Sequence, residues 1–354
     1  MRLGSKNKKS AVNGIRYFFL IFFAVFCTYG FSSETYISVT DAAKKLNLEL
    51  FWEPVSEEIV FKRNNFEASC KVGQPLILFG KTQADFAESP YKKDGLTFIG
   101  SKMYSKLKAF FSVPENEQLY TVGAVLIDPG HGGKDVGCVG SYTENGKNFV
   151  LYEKDIALKV SLDLYAMLKS TYPGKSILLT RDKDVYPELE DRVNMANKVK
   201  LKKNESILYV SIHVNAAPNA KAAGFEVWYL PPDYRRELLG KNVAPKEIHT
   251  ILNSMLEEEF TTESVLLAQN ILDGMNAQIG TMSRNRGIRA NPYFVIRKVK
   301  MPSVLVEVGF VSNKNEAKLL SSPDYLKKCT VGIYNGICAF VSDFENSGRT
   351  AAED

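Results

Sequence analysis

Cysteine, histidine and net charge are all in short supply in this chain of 354 residues. It has five cysteines and three histidines, and its 45 Lys and Arg residues only slightly outnumber its 40 Asp and Glu residues. Residues 1–33 contain no acid but five bases: Arg2, Lys6, Lys8, Lys9 and Arg16. The rest of the chain therefore carries 40 bases against 40 acids and lacks the concentrated basic face that a nucleic-acid-binding protein needs. A hydrophobic content of 45% excludes a mainly disordered chain.

The cysteines beyond residue 33 are too few for a fold built on disulfides. They are Cys70, Cys138, Cys329 and Cys338. Cys329 and Cys338 lie nine residues apart in a predicted helix, and a turn of about 100° per residue places them on roughly opposite faces. These two cannot pair with each other, and we predict that all four are buried thiols.

The amino-terminal bases precede an uncharged run, residues 17–33, and this pattern predicts a secretory signal peptide over residues 1–33. Its strongly apolar part, residues 17–26, is shorter than the roughly 20 residues that span a bilayer. The small residues Thr28 and Gly30 favour cleavage near Gly30. An uncleaved membrane anchor is one alternative, and lipidation at Cys27, which the preceding bulky residue disfavours, is another. We therefore expect an exported protein of the periplasm or cell envelope.

Two folded segments follow the predicted signal. Residues 34–113 predict a small α+β domain with short strands and helices, and the polar, proline-containing residues 114–123 are the predicted linker. Residues 124–343 alternate apolar strands with helices. This alternation predicts an α/β domain with a mostly parallel, twisted sheet covered by helices on both faces. Residues 344–354 form a polar tail.

The predicted elements of the α/β domain locate its chemistry. The strands are 124–128, 176–179, 207–212, 225–230, 294–297 and 303–308, and the helices are 153–170, 189–202, 246–260, 263–279 and two closing helices. In open α/β sheets, binding groups gather outside the carboxyl ends of the strands. We therefore look for functional residues where these strands end.

Polar residues stand at three of these strand ends. His131 follows the strand and turn VLIDPG, His213 ends ILYVSIH, and Glu307 interrupts SVLVEVGF. The helix that begins at Glu153 presents its amino end to the same edge. Two imidazoles and a carboxylate are a ligand set for catalytic Zn²⁺, and a second carboxylate can act as general base. From the residues alone, a structural role for His131 and a salt bridge between Glu307 and Arg286 remain alternatives.

Five motifs, in this order, resemble the zinc-dependent N-acetylmuramoyl-L-alanine amidases of the type-3 amidase family: VLIDPGHGGKD, YEKDIAL, TRDKD with the following LEDRVNMAN, SIHVN and VLVEVGFVSN. The resemblance spans residues 125–340. It implies that His131, Glu153 and His213 bind Zn²⁺ and that Glu307 is the catalytic carboxylate. It also implies that the substrate is peptidoglycan, cut at the amide between N-acetylmuramic acid and L-alanine. Further candidates for contacts with substrate or with the ligands are Asp128, Asn215 and Arg286.

The chain departs from this family in a few places. Val136 and Cys138 stand where the family usually has proline and a small residue, and the loop 140–151 is longer than usual. None of the four key positions is lost. Earlier in the chain, residues 35–52 and 96–111 echo each other and are similar to the small repeated module of the amino-terminal part of copper amine oxidases. That module carries no catalytic motif, so residues 34–113 are either a spacer or a ligand-binding domain.

Residues 233–262 form an insert that contains a predicted amphipathic helix. The apolar stripe of this helix is Ile248, Ile251, Leu252, Met255 and Leu256. In the division-associated relatives that the chain resembles, an insert at this place occludes the zinc until an activator protein moves it. The resemblance thus implies that Glu257, Glu258 or Glu259 could occupy the open zinc position, and a solvated acidic helix end is the alternative.

The sequence as a whole predicts an exported zinc amidase that remodels the cell wall or separates daughter cells. A zinc peptidase acting on another amide is one alternative, since the ligands define hydrolysis and not the sugar. A non-catalytic, wall-binding regulatory protein is the other, and the intact Glu307 beside three ligands disfavours it.

Overall fold

The computed structural model of the protein describes residues 35–64, 66–80, 83–113, 120–202, 204–240 and 246–346. The predicted signal peptide with Cys27, residues 114–119 of the predicted linker and residues 347–354 lie outside the described residues. Within the described ranges, no helix combines the length and apolar character that crossing a bilayer requires.

The amino-terminal part is built from short antiparallel strands and two helices. Its described elements are β1 (Tyr36–Ser38), α1 (Val39–Leu46), β2 (Glu49–Glu53), β3 (Glu58–Arg63), β4 (Phe66–Lys71), β5 (Leu76–Phe79), β6 (Gln83–Phe86), β7 (Tyr91–Lys93), β8 (Leu96–Gly100) and α2 (Ser101–Ser112). Strands β2 to β6 form one sheet in sequence order, and β1, β8 and β7 form another. A buried core that includes Ile59, Phe61, Met103 and Leu107 joins the larger sheet to α2. Each strand of the β1–β8 pair leads directly into a helix, as the echo in the sequence predicts.

The larger part is a three-layered α/β fold. Its described elements are β9 (Thr121–Pro129), β10 (Val139–Glu144), β11 (Lys147–Tyr152), α3 (Glu153–Thr171), β12 (Ser176–Leu179), α4 (Leu189–Asn197), β13 (Glu205–Asn215), β14 (Phe225–Tyr229), α5 (Lys246–Ile279), β15 (Asn285–Ala290), α6 (Phe294–Lys298), β16 (Ser303–Phe310), α7 (Lys314–Leu320) and α8 (Pro323–Asn346). The strand order of the main sheet is β12-β9-β13-β16-β14-β15. Strands β12, β9, β13 and β16 are parallel to one another, whereas β14 and β15 run in the opposite direction.

Alternation along the strands decides which face each side chain reaches. On β16, Val304, Val306 and Val308 belong to the core shared with α3, α5 and α8. Leu305 belongs to a second core on the opposite face, which α4 and α6 cover. We call this second face the front face. Glu307 lies in step with Leu305 and therefore points to the front face.

Several predicted elements need correction. The apolar run 294–297 is a helix, α6, because its side chains reach the front-face core from outside the sheet. The helices predicted at 246–260 and 263–279 are one helix of 34 residues, α5, and α4 ends at Asn197. The β10–β11 hairpin and β15 were not expected from the sequence. Cys70 and Cys329 are buried free thiols as predicted, whereas Cys138 and Cys338 are only half-buried.

The insert 233–262 connects the two parts of the protein. Leu238, Leu252, Leu256 and Phe260 form an apolar cluster with Ala84 of β6, and side chains of β5 and β6 pack against it. Ile251, which the stripe predicts to be buried, is 43% exposed. The first half of α5 thus uses its apolar face to hold the amino-terminal sheet.

A buried ion pair fixes the insert on its other side. Arg236 Nη2 lies 2.7 Å from Glu257 Oε1, with 5% and 2% of the two side chains exposed. Arg236 Nη1 also donates to the carbonyl of Val299, 2.9 Å away, just before β16 begins. The insert is therefore anchored at the edge of the sheet where the parallel strands start.

We expect Arg236→Ala to destabilise the fold strongly. It leaves the Glu257 carboxylate buried without its partner, a change that typically costs about 3–5 kcal/mol. The free energy of unfolding measured by urea titration should fall by that order. Arg235, the exposed neighbour of Arg236, offers a control. Arg235→Ala should change the free energy of unfolding by less than about 0.5 kcal/mol. Equal effects of the two substitutions would contradict the assignment.

Candidate metal centre

Three elements bring the predicted ligands to one place. β9 ends at Pro129 and His131 follows it, β13 carries His213 near its carboxyl end, and α3 begins at Glu153 directly after the β10–β11 hairpin. His213 and Glu307 are opposite each other in the parallel pair β13–β16. The side chains of His131, Glu153 and His213 thus converge at the carboxyl edge of the sheet.

The donor atoms of these three residues lie within 4.8 Å of one another. His131 Nε2 is 3.2 Å from Glu153 Oε2, and His213 Nδ1 is 2.9 Å from Glu153 Oε1. Two imidazole nitrogens and a carboxylate oxygen at this separation form a donor set that suits Zn²⁺. The residues present therefore fit a metal ion.

Asp135 orients His131, one of the predicted ligands, and sequence reasoning missed Asp135. Its Oδ2 is 2.8 Å from His131 Nδ1, which leaves His131 Nε2 to face the other donors. Carboxylates in this position fix the tautomer and ring orientation of metal-bound histidines. The signal was available in the sequence, since Asp135 stands four residues after His131 in HGGKD.

The charges of the donor set follow from their partners. Burial alone would raise the pKa of Glu153, but hydrogen bonds with His131 and His213 lower it below its ordinary value. Burial alone would lower the pKa of His131, but Glu153 and Asp135 raise it. Glu153 is therefore ionised at neutral pH, as a metal ligand must be.

Glu307 has a different environment from Glu153. It is 7% exposed, and its Oε2 is among the buried atoms of the described residues that have no hydrogen-bond partner. Burial raises the pKa of Glu307 well above its ordinary value, and the charges of Glu153 and Glu226 raise it further. Arg286 does not pair with Glu307, as the alternative interpretation required, because its Nε lies 2.7 Å from Glu226. A buried carboxyl group with high proton affinity is suited to proton transfer.

Asp128 supports the loop that carries His131 through its partner Arg192. It is fully buried, and Tyr209 and Ser211 donate hydrogen bonds to its Oδ2. Arg192 Nη1 lies 2.7 Å from its Oδ1. Burial alone would raise the pKa of Asp128, but the guanidinium of Arg192 and the hydrogen bonds lower it. Asp128 is thus the counter-ion of a buried arginine.

Two arginines hold the loop by its carbonyl oxygens, and sequence reasoning gave neither of them a role. Arg192 donates to the carbonyls of Pro129 and His131 at 2.6 Å each. Arg181 donates to the carbonyls of Pro129 at 3.0 Å and Gly130 at 2.7 Å. Both arginines belong to the TRDKD and LEDRVNMAN motifs. This support is needed because the backbone of His131 has a φ of 58°, in the left-handed region that residues other than glycine rarely adopt.

Gly130 makes room for His213, the second predicted histidine ligand. A Cβ at this position would lie 2.4 Å from Cε1 of His213. The backbone of the His131 loop therefore touches the His213 ring directly, and only glycine permits that approach.

Asn215 and Cys138, which the sequence singled out, lie close to the centre. Asn215 Nδ2 donates to Glu226 Oε1 at 2.8 Å, so Asn215 orients this buried glutamate of β14, which the sequence did not single out. The backbone N–H of Cys138 donates to Glu153 Oε2 at 2.8 Å. Burial raises the pKa of the Cys138 thiol to about 12, so the thiol stays protonated at neutral pH.

The structure does not place the acidic residues of the insert at the metal centre. Glu257 is paired with Arg236 beside Val299 and Met301. Met301 lies two residues before β16 begins, and Glu307 is four residues into that strand, which at about 3.3 Å per residue is roughly 13 Å further along it. Glu258 and Glu259 follow Glu257 on the same helix. The expectation of a glutamate plug is therefore not met in this conformation.

The chain is similar in sequence to several known proteins. The family model described as N-acetylmuramoyl-L-alanine amidase matches residues 125–339. A Haemophilus influenzae protein named "Probable N-acetylmuramoyl-L-alanine amidase AmiB" is 31% identical over 246 residues, which cover 64% of this chain and 52% of that protein. AmiA of Salmonella typhimurium, an N-acetylmuramoyl-L-alanine amidase, is 29% identical over 252 residues, covering 66% and 82% of the two chains. The chain thus spans about half the length of the first relative and most of the second.

Among solved structures, the amidase AmiC2 of Nostoc punctiforme is similar to this chain. The TM-score is 0.47 at 30% sequence identity, and the match covers 62% of this chain and 97% of that one.

We expect Asp135→Ala to weaken metal binding without unfolding the protein. Loss of the carboxylate frees His131 to adopt another tautomer or ring orientation, and such losses typically cost 10–100-fold in metal affinity, so we expect about that reduction for Zn²⁺. Competition with a chromophoric chelator measures the effect. Asp182→Ala, at an exposed position nearby, is the control and should keep the affinity of the unaltered protein. Equal affinities in both variants would contradict the role of Asp135.

The Asp128–Arg192 pair predicts a specific pH dependence of stability. Because the pKa of Asp128 is lowered on folding, its charge contributes stability that is complete well above the unfolded pKa of about 3.9 and is lost as the pH falls through the folded pKa. Asp128→Asn should therefore reduce the free energy of unfolding by about 3 kcal/mol at pH 7. The deficit should shrink at pH 3.

Urea titrations of the two proteins at both pH values test this prediction. Asp191→Asn, at an exposed position of α4, should show no comparable deficit at either pH. A deficit for Asp128→Asn of the same size at pH 7 and pH 3 would contradict the assignment.

Proposed function

Because the chain belongs to the N-acetylmuramoyl-L-alanine amidase family, we propose that it is a zinc-dependent enzyme that cleaves the amide between N-acetylmuramic acid and L-alanine in peptidoglycan. The observation that carries the proposal is the meeting of three metal-donor residues with a buried carboxyl group, Glu307, whose Oε2 has no hydrogen-bond partner, at one edge of the sheet. We further propose that the protein is exported to the cell envelope, where this substrate lies, as the sequence of residues 1–33 indicates.

His131, Glu153 and His213 would hold the ion. When bound, Zn²⁺ supplies an electrophile that polarises the scissile carbonyl group and lowers the pKa of water. Asp135 keeps His131 Nε2 directed to the ion, and the arginine-supported loop keeps the His131 backbone in place. These contacts provide a rigid site before substrate arrives.

Glu307 performs the proton transfers. Glu307 lies opposite His213 on the next strand, beside the donor residues. From there it accepts a proton from the attacking water and then donates that proton to the amino group of the departing L-alanine. Its environment, buried and without a hydrogen-bond donor at Oε2, raises its proton affinity, which suits a group that takes up a proton in the first step and holds it for the second. The products are the glycan with a free lactyl carboxylate and the stem peptide with a free amino terminus.

We expect Glu307→Gln to keep the metal and lose the reaction. The amide fills the same volume but cannot take a proton from water, and general-base catalysis typically contributes about 10²–10⁴-fold to the rate. Metal content by elemental analysis and amide cleavage by mass spectrometry of muropeptide products measure the two effects. A Glu307→Gln protein with unchanged turnover would contradict the role of Glu307.

Digestion of peptidoglycan with and without a chelator tests the activity itself. We expect stem peptides with a free L-alanine amino terminus in the untreated reaction, none after chelation, and recovery when Zn²⁺ is added back. Cuts within the stem peptide would instead indicate a zinc peptidase. Absence of any cut by the metal-loaded protein would indicate a protein that binds the wall without turnover.

A further inference from the structure

The front face of the sheet carries a charged cluster beyond Glu307 that the proposed mechanism does not use. Glu226 of β14 is 1% exposed. Arg286 Nε and Arg289 Nε of β15 lie 2.7 Å and 3.0 Å from its Oε2. One carboxylate thus faces two guanidinium groups. The cluster therefore has a surplus of positive charge at the side of the candidate metal centre.

A bulge brings the two arginines to the same side. In a regular strand, residues 286 and 289 would point to opposite faces, because side chains alternate. The β14–β15 register shifts between the pairs at Phe225 and Val227, and Gly287 has a φ of 85°. An extra residue in one strand reverses the alternation locally, so both guanidinium groups reach Glu226.

The two arginines differ in what they can still bind. The guanidinium of Arg286 stacks on the Phe310 ring, 4.9 Å from its centroid, and donates to the carbonyl of Ala223. Only 23% of its side chain is exposed, against 42% for Arg289. Arg289 lies over the Trp228 ring at 5.7 Å and uses Nε for Glu226. These two contacts hold the guanidinium of Arg289 in one orientation before any ligand binds. Its two Nη atoms can then donate to both oxygens of a carboxylate.

The position of Arg289 relative to Glu307 fits a particular part of the substrate. Glu226 and Glu307 are opposite each other on adjacent strands, about 4.8 Å apart, and Arg289 lies on the far side of Glu226. Its guanidinium is therefore within about two strand spacings, roughly 10 Å, of the reacting groups. A peptide advances about 3.3–3.6 Å per residue, so the second residue of a stem peptide that starts at Glu307 comes within reach of the Arg289 side chain.

We propose that Arg289, held by Glu226 and Trp228, binds the free α-carboxylate of the stem-peptide residue that follows L-alanine. Arg286 is a positioning residue that keeps Glu226 in place. This inference rests on the proposed function and adds a specificity for the charge state of the second residue. The enzyme then distinguishes stem peptides with a free carboxylate from those in which it is a carboxamide.

Two substrates that differ only in this group provide the test. They are N-acetylmuramoyl-L-alanyl-γ-D-glutamyl-L-lysine and its counterpart with D-isoglutamine, in which the α-carboxylate is an amide. For the full, zinc-loaded chain we expect a kcat/KM about tenfold or more higher for the free acid, because a hydrogen bond to a charged group is lost with the amide. Arg289→Gln should remove the preference, chiefly by raising KM for the free acid.

Arg284→Gln is the matched control, because Arg284 is exposed just before the same strand. It should keep the preference for the free acid. Calorimetry of both substrates with the Glu307→Gln protein gives a second readout without turnover. The free acid should bind with a Kd about tenfold or more lower than the amide. This difference should vanish when Arg289→Gln is added.

The outcomes separate the two proposals. Equal kcat/KM for the two substrates in the unaltered enzyme, or a preference that survives Arg289→Gln, overturns the carboxylate site and leaves the amidase activity standing. Cleavage of neither substrate overturns the proposed function and this inference with it.

Discussion

The ion pair between Asp128 and Arg192 is the contact on which the candidate metal centre depends. Both side chains are almost completely buried, at 1% and 2% exposure. Compared with well-packed apolar residues of the same size, a buried pair of this kind adds little net stability, because desolvation offsets the attraction. Its role is positional, since it places the Arg192 guanidinium under the carbonyls of Pro129 and His131. Together with backbone bonds such as that from the Gly130 N–H to the Ile212 carbonyl at 2.9 Å, these side-chain donors hold the loop that carries the first imidazole.

The two glutamates of the centre have the same chemistry and opposite surroundings. Glu153 receives donors from two histidines and from the backbone of Cys138 and Val214. Glu307, one strand spacing from His213, has no partner at Oε2 and faces two other carboxylates. Hydrogen bonding to the charged form lowers a pKa, whereas burial beside like charges raises it. The number of donors, and not the type of residue, thus separates the proposed ligand from the proposed proton carrier.

The sequence predicted the elements in which local pattern and tertiary environment agree. The strands near His213 and Glu307 are continuous apolar runs, and the helix after Glu153 has a clear period. The run at 294–297 is equally apolar and became α6, because a run of four residues cannot distinguish strand from helix by periodicity. Residues brought together from distant motifs could not be found in this way. Arg181 and Arg192 donate to the carbonyls of a loop about 50 to 60 residues earlier in the chain. Glu226 pairs with both arginines of β15 because a bulge brings them to the same face.

The continuous helix α5 determines how far the amino-terminal sheet lies from the candidate metal centre. Its 34 residues make a rod about 50 Å long, with one half in contact with the amino-terminal sheet and the other half in the main core. The amino-terminal sheet is therefore attached near the start of the parallel strands, and His131, His213 and Glu307 lie at their far end. A surface that touches the amino-terminal sheet would therefore be separated from the candidate metal centre by the full length of the parallel strands. The length of one helix thus sets the distance between such a surface and these three residues.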